Sequence, residues 1–251
     1  MLVSKWGNSA GVLVPKSWLG QEVKVSLVDR TLQIKKEVFE ILKDYFQDII
    51  GVYLVGSYAR GEQGKNSDID IIAVSKDLKK EIISGKYHVS IYPVESIEKT
   101  LKKNPMMIYP RLVEAKPLFN SSFLEGLDLK YDVKNFSEFI RSTKRIAKIN
   151  REILELDKLD GEFLESVDVI YSLILRLRGI FILDCLSKGG KYSRDSFEKW
   201  IVKEIPNIEF ENIYGAYENI KNDEKVSGKF NIEIAERLLG LLEREVAKHD
   251  E

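Results

Sequence analysis

Cysteine is almost absent from this chain: Cys185 is the only one among 251 residues. A single thiol closes no internal disulfide and builds no cysteine-based zinc cluster, which excludes a disulfide-stapled scaffold and a zinc-finger module. Histidine is nearly as scarce. His88 and His249 are the only two, leaving little material for a histidine metal site. No apolar run approaches the roughly 18 residues of a membrane-crossing helix, and the N-terminus lacks an apolar signal core, so a cytoplasmic location is expected. Excess charge of one sign is missing too. Lys and Arg number 39 against 40 Asp and Glu, a formal net charge of −1, so no global basic excess argues for nucleic acid, although local patches remain open. Tandem repeats and low-complexity linkers are also absent. Glutamine is scarce beside abundant lysine, glutamate and isoleucine, a bias that fits a thermophile.

What is present is an ordinary globular composition, 44% hydrophobic and 31% charged, long enough for one large domain or two to three small ones. Three segments are expected, at residues 1–35, 36–127 and 128–251. The first reads as a small β module. "GVLVP" is an apolar run ended by Pro15, and both "EVKVSLVD" (22–29) and the following "TLQIK" alternate with period two. A unit of this size would struggle alone and is expected to pair with a second copy or dock on its neighbour. From Lys36 the period turns helical, then strands and helices alternate: "GVYLVG", "IDIIAVS" and "YHVSIYPV" as strands, "LKKEIIS" and "VESIEKTLKKN" as helices. That alternation predicts an α/β domain. Beyond Tyr131 the chain reads as long amphipathic helices, with caps expected at Ser193 or Asp195 and at Asn231.

The chemistry concentrates in "GVYLVGSYARGEQGKNSDIDIIAV", residues 51–74. Gly56 follows an apolar strand, where a glycine lets backbone amides approach a ligand, and Ser57 adds a hydroxyl at the same turn. Such amides suit phosphate oxygens. Asp68 and Asp70 are two residues apart, so on a strand they share a face. Two same-face carboxylates repel unless a cation bridges them, and oxygen-rich sites of this kind suit Mg2+, which also binds substrate phosphates.

The full pattern, Gly-Ser-x-x-Arg-Gly-Glu followed by Ser-Asp-x-Asp at the head of an apolar strand, resembles the DNA polymerase β-type nucleotidyltransferase superfamily, especially its minimal prokaryotic members. "GSYARGE" and "SDIDIIAV" are the matching blocks, and the likeness runs from about Phe39 to Asn120. It implies an α/β (α+β) nucleotidyltransferase fold. It also implies that Gly56, Ser57, Arg60 and Ser67 bind the nucleotide, and that Asp68 and Asp70 hold Mg2+, or Mn2+ in its place. The reaction implied is attack of an acceptor hydroxyl on the α-phosphate of an NTP with release of pyrophosphate. The acceptor would be a protein side chain, an RNA end or a small molecule. Members of the family usually carry a third carboxylate on a later strand. On "YHVSIYPV" the matching position is Ser90, so the carboxylate is missing there. His88 shares its face and is the substitute base the strand offers. Glu165 or Asp168, from the helical segment, is the other source of an acid.

"KWGNS", "VLVPK" and "EVKVSLV" resemble the swapped-hairpin DNA-binding modules of the AbrB/SpoVT type, whose barrel is made by two intertwined chains. The likeness implies a homodimer in which Lys5, Lys16 and Lys24 contact DNA phosphates, or a dimerisation module with solvated lysines. The stretch "RLRGIFILDC" has Arg176 and Arg178 but no histidine a few residues after them, so a HEPN-type ribonuclease is not expected. Tyr171, Arg176, Arg178 and Lys191 are candidates to line a cleft facing the nucleotide. The reading is thus an archaeal or other prokaryotic nucleotidyltransferase. Its alternative is a catalytically degenerate nucleotide- or DNA-binding regulator, such as an antitoxin, lacking the third carboxylate.

Overall fold

The computed structural model describes residues 4–7, 9–24, 31–64, 67–127, 129, 132–226 and 228–249. The chain divides into two compact units, Met1–Glu40 and Ile41–Glu251.

In the first unit, β1 (Ser4–Trp6) and β2 (Ser9–Gly11) pair antiparallel, and a single 3-10 turn follows at Lys16–Trp18. Residues 25–30, most of the expected strand "EVKVSLVD", lie outside the described residues. The expected strand "TLQIK" is instead the start of α1 (Thr31–Leu42), which spans the boundary between the units. Leu32 and Ile34 alternate over a short window, but Ile34, Val38 and Leu42 recur every four residues, and the longer period decides.

The second unit is built on a five-stranded sheet in the order β5-β6-β4-β3-β7. Its strands are β3 (Ile49–Val55), β4 (Ile69–Ser75), β5 (Lys80–Ser84), β6 (Tyr87–Pro93) and β7 (Lys116–Phe119). Only β4 and β6 run parallel; the other neighbours are antiparallel. The expected helix "LKKEIIS" is strand β5, an edge strand that pairs with β6 across the two-residue turn Gly85–Lys86. Five residues with two adjacent isoleucines fit a hairpin arm better than a helix too short to nucleate.

Short helices surround the sheet: α2 (Gly56–Arg60), α3 (Val94–Lys103), α4 (Tyr109–Val113) and α5 (Ser121–Glu125). Tyr53, Val55, Ile72 and Val74 of one sheet face form a core with Ile97 of α3 and Leu112 of α4. The later part is helical, as expected. It comprises α6 (Ser137–Asp160), α7 (Asp168–Ser187), α8 (Arg194–Glu204), α9 (Phe210–Lys221) and α10 (Ile232–Ala247). Helix α7 is buried on most of its circumference and is the axis of this core, which also takes Leu154 of α6, Tyr217 of α9 and Leu238 of α10. Ser193 and Asn231 cap α8 and α10 by accepting the amides of Ser196 and Glu233. Residues 162–167, expected at the start of a helix, instead run alongside the chain before α10, with Leu164 N–H donating to Phe230 O at 2.9 Å. Among the described residues no helix is long and apolar enough to cross a membrane.

Candidate active site

Helix α2 follows β3 without a break, so the chain turns at Gly56, immediately beyond Val55, whose register partner on β4 is Asp70. Gly56 has φ 71°, and a Cβ there would stand 2.5 Å from Asp70 Oδ2. Both the left-handed backbone and the close approach demand glycine. The turn "GS" and the aspartate pair are therefore one structural object. Ser57 is the next residue of the turn. Asp68 is exposed just ahead of β4, and the Asp70 side chain is a third exposed. No lysine or arginine among the described residues forms an ion pair with either carboxylate. Among the described residues the two carboxylates thus stand at the end of one strand with no lysine or arginine partner. No cluster of three metal-ligating side chains occurs among the described residues. A two-carboxylate set fits Mg2+ or Mn2+, which completes its shell with substrate phosphates and water.

The parallel register sets His88 beside Asp70, and Ser90 beside Ile72. His88 Nδ1 lies 3.9 Å from Asp70 Oδ1, and its Nε2 lies 3.3 Å from Glu81 Oε2. Ser90, buried on β6, donates its hydroxyl to the same Glu81 oxygen at 2.8 Å. The acid missing from Ser90 thus has a neighbour in Glu81 of β5, a residue that sequence reasoning passed over. The signal was there: read as a strand, "KEIIS" places Glu81 opposite Ser90. Glu165 and Asp168 lie elsewhere. The Glu165 amide donates to Asp157, and Asp168 begins α7.

Arg60 closes the turn on its other side. Its Nε pairs with Glu62 at 2.7 Å and its Nη1 with both oxygens of Glu114 at 2.8 and 2.9 Å. Burial opposes this charge, but Glu114 and Glu62 outweigh it and hold the guanidinium pKa above its ordinary value. Glu114 Oε1 also accepts the Gly56 amide at 3.0 Å. The arginine and one amide proposed for phosphate are therefore engaged by an internal carboxylate. Ser67 Oγ accepts the Gly64 amide at 2.8 Å and shapes the loop before β4. Lys16 and Lys24 are exposed in the first unit, and Lys5 lies in β1.

Behind Arg60 is a cavity of about 670 Å3 between the α/β and helical parts, lined by Arg60, Glu114, Arg176, Arg178, Lys191 and Tyr192 among others. The Tyr192 ring lies between two guanidiniums, 5.2 Å from Arg60 and 4.9 Å from Arg178. The Arg194 amide donates to Glu62 at 2.9 Å and fastens the two parts together. Of the four residues considered for a cleft, Arg176, Arg178 and Lys191 line this cavity, while Tyr171 stacks on Tyr217 and does not.

A glycine-serine turn abutting a carboxylate pair on an antiparallel-parallel sheet is the architecture of a nucleotidyl-transferring protein. The nucleotidyltransferase domain family model matches residues 35–160, and this chain belongs to that family. It is similar to two proteins of Methanocaldococcus jannaschii. One, named "Putative protein adenylyltransferase MJ1305", is 30% identical over 49% of this chain and 82% of its own length. The other, "Putative protein adenylyltransferase MJ0141", is 33% identical over 31% of this chain and 86% of its own. Among solved structures, a spectinomycin adenyltransferase from Enterococcus faecialis with ATP and spectinomycin covers 87% of this chain and 98% of its own, with a TM-score of 0.44 and 13% identity.

Proposed function

We propose that the chain moves a nucleoside monophosphate from an NTP to a hydroxyl group, in a reaction dependent on Mg2+ or Mn2+. The observation that supports this reading is the close approach of Gly56 to Asp70, where a Cβ on the glycine would stand 2.5 Å from Oδ2, so that the turn proposed for phosphate abuts a carboxylate proposed for the metal. The names of the two archaeal relatives favour ATP as donor and a protein side chain as acceptor. Gly56, Ser57 and Ser67 serve the phosphates through the turn and the following loop, with Arg60 behind them. Asp68 and Asp70 would hold the metal, which supplies charge neutralisation at the phosphates.

The acceptor oxygen attacks the α-phosphorus, the bond to the bridging oxygen breaks, and pyrophosphate leaves. His88 takes the acceptor proton at Nδ1, the nitrogen on the Asp70 side. Glu81, beside Nε2, fixes the other tautomer position and stabilises the imidazolium that forms. Glu81 is a positioning residue in this scheme, itself held by Ser90.

Incubation with each labelled NTP, Mg2+ and a lysate of the source cells tests the reading. Wild type is expected to label an acceptor, and Asp70→Ala to lose about 10²-fold or more of that rate, the scale of losing a principal electrostatic group. Absence of NTP binding by calorimetry would overturn both the enzyme and the alternative nucleotide-binding regulator.

The first unit is proposed to mediate homodimerisation, with DNA contact through Lys5, Lys16 and Lys24 as its further role. It exposes Trp6, Leu13 and Leu19 at 57%, 71% and 79%, apolar side chains that a second copy could cover. Removal of residues 1–34 is expected to convert a dimer to a monomer on size-exclusion chromatography. An unchanged elution volume refutes the assignment.

A further inference from the structure

The cavity behind Arg60 has a charge imbalance that nothing in the transfer chemistry uses. Its wall carries five cations, Arg60, Arg111, Arg176, Arg178 and Lys191, against two carboxylates, Glu114 and Glu138. Both carboxylates are already engaged: Glu114 with Arg60, and Glu138 with Arg141 outside the wall. Among the described residues no carboxylate pairs with the remaining four cations. Arg176 reaches only hydroxyls, Ser142 Oγ at 3.1 Å and Thr143 Oγ1 at 3.4 Å. Arg178 donates Nη1 to Tyr217 at 3.2 Å, and its shielded Nε has no hydrogen-bond partner among the described residues.

A largely buried guanidinium with no carboxylate partner is costly, and an oxyanion in the adjoining cavity would offset that cost. Burial, reinforced by the nearby Arg145, pushes the Arg176 pKa down, whereas for Arg178 burial is outweighed by Tyr192, Tyr217 and Tyr214, which hold its pKa above the ordinary value. Most of the rest of the wall is apolar, including Met106, Pro110, Phe139, Leu175 and Ile182, with Asn104 and Ser142 as polar members. Gly179 belongs to the same wall. A Cβ there would meet the Phe139 ring at 2.3 Å, so the glycine admits that ring against α7 and shapes the apolar side.

We infer that this cavity is a binding site for a phosphomonoester with an apolar body, its phosphate held by Arg178, Arg176 and Lys191 and its body against Phe139 and Ile182. The ligand is separate from the transferred nucleotide, because Ser57, Asp68, Asp70 and His88 are not part of the wall. The site communicates with the phosphate turn through one carboxylate: Glu114 lines the cavity, holds Arg60 and accepts the Gly56 amide. An anion that draws Arg60 toward itself loosens Glu114 from Gly56, so occupancy of the cavity alters the readiness of the turn for a triphosphate.

Calorimetry of the full chain with phenyl phosphate tests the site, with benzyl alcohol as the neutral contrast and benzoate as the carboxylate arm. Saturable binding of phenyl phosphate is expected, stronger than benzoate, with none for benzyl alcohol. Arg178→Met is expected to weaken it about tenfold or more, the scale of a charge-assisted hydrogen bond. Lys191→Ala, at an exposed position that does not threaten folding, is expected to weaken it about threefold to tenfold. Saturating AMP-PNP is expected to leave phenyl phosphate binding in place, and Asp70→Ala is expected to leave it unchanged even where transfer is lost. Absence of phenyl phosphate binding, equal or tighter binding of benzoate, indifference to Lys191→Ala, or displacement by AMP-PNP would each overturn the inference. None of these readouts depends on whether the chain transfers a nucleotide.

Discussion

The two sides of the Gly56 turn are opposites in charge and in exposure. On one side His88 stands between Asp70 and Glu81, with Asp68 exposed just ahead of the same strand as Asp70, and the described residues give the two aspartates no lysine or arginine ion-pair partner. On the other, Arg111, Arg176, Arg178 and Lys191 line a partly open cavity, and among the described residues no carboxylate pairs with them. Arg60 and Glu114 stand between, each satisfying the other. Carboxylates in water tolerate one another until a metal arrives, whereas cations behind apolar walls do not, because screening falls with exposure. On the proposed reading the exposed carboxylates need a cation only when nucleotide is bound, whereas the more sheltered cations favour an anion throughout. One short turn, five residues of helix and a single ion pair separate the two.

The largest test of that division is Glu81→Gln. Glu81 is half-exposed and contributes little packing, so the substitution is expected to leave the thermal midpoint nearly unmoved. It removes the charge that orients and stabilises His88, and pyrophosphate release is expected to fall about 10²-fold, the lower end of what proton transfer contributes. Phenyl phosphate binding across the turn is expected to stay the same. Glu81→Asp, which keeps the charge on a shorter arm, should restore part of the rate if the role is positioning. Equal rates for wild type and Glu81→Gln would remove Glu81 from the mechanism, and a simultaneous change in the cavity would show that the two fields are not separate.

How far this contrast was legible in the sequence depended on distance along the chain. Gly56, Ser57, Asp68 and Asp70 announce themselves because the turn and the strand head are local, and strand parity alone puts the carboxylates on one face. Glu81 did not, since its meaning comes from the β5–β6 register and "KEIIS" is too short for periodicity to separate strand from helix. The engagement of Arg60 by Glu114 spans 54 residues and depends on where α4 ends, which no window of sequence contains. Arg176, Arg178 and Lys191 stand in the sequence as candidates to line a cleft, and they do line the cavity. Tyr192, which stacks between Arg60 and Arg178, passed unnoticed as one more core aromatic. In the first unit, "TLQIK" misled because five residues of alternation also fit the first turn of a longer helix.

The smaller and finer test is Glu114→Gln, aimed at the boundary itself. The side chain keeps its shape and one carbonyl oxygen, so the Gly56 amide still has an acceptor. What disappears is a negative charge from the cavity wall and most of the attraction on Arg60, which retains Glu62. Breaking one member of a largely buried pair is expected to lower stability by about 1–3 kcal/mol, measured by denaturant unfolding. The cavity becomes one charge more positive at Arg60, so phenyl phosphate is expected to bind a few-fold tighter, with a steeper weakening as salt is raised. Transfer should change less than in Glu81→Gln, because Asp68 and Asp70, the carboxylates proposed to hold the metal, are untouched. If anion affinity does not rise, Arg60 does not face the cavity ligand, and the ion pair is a wall between two sites rather than a link connecting them.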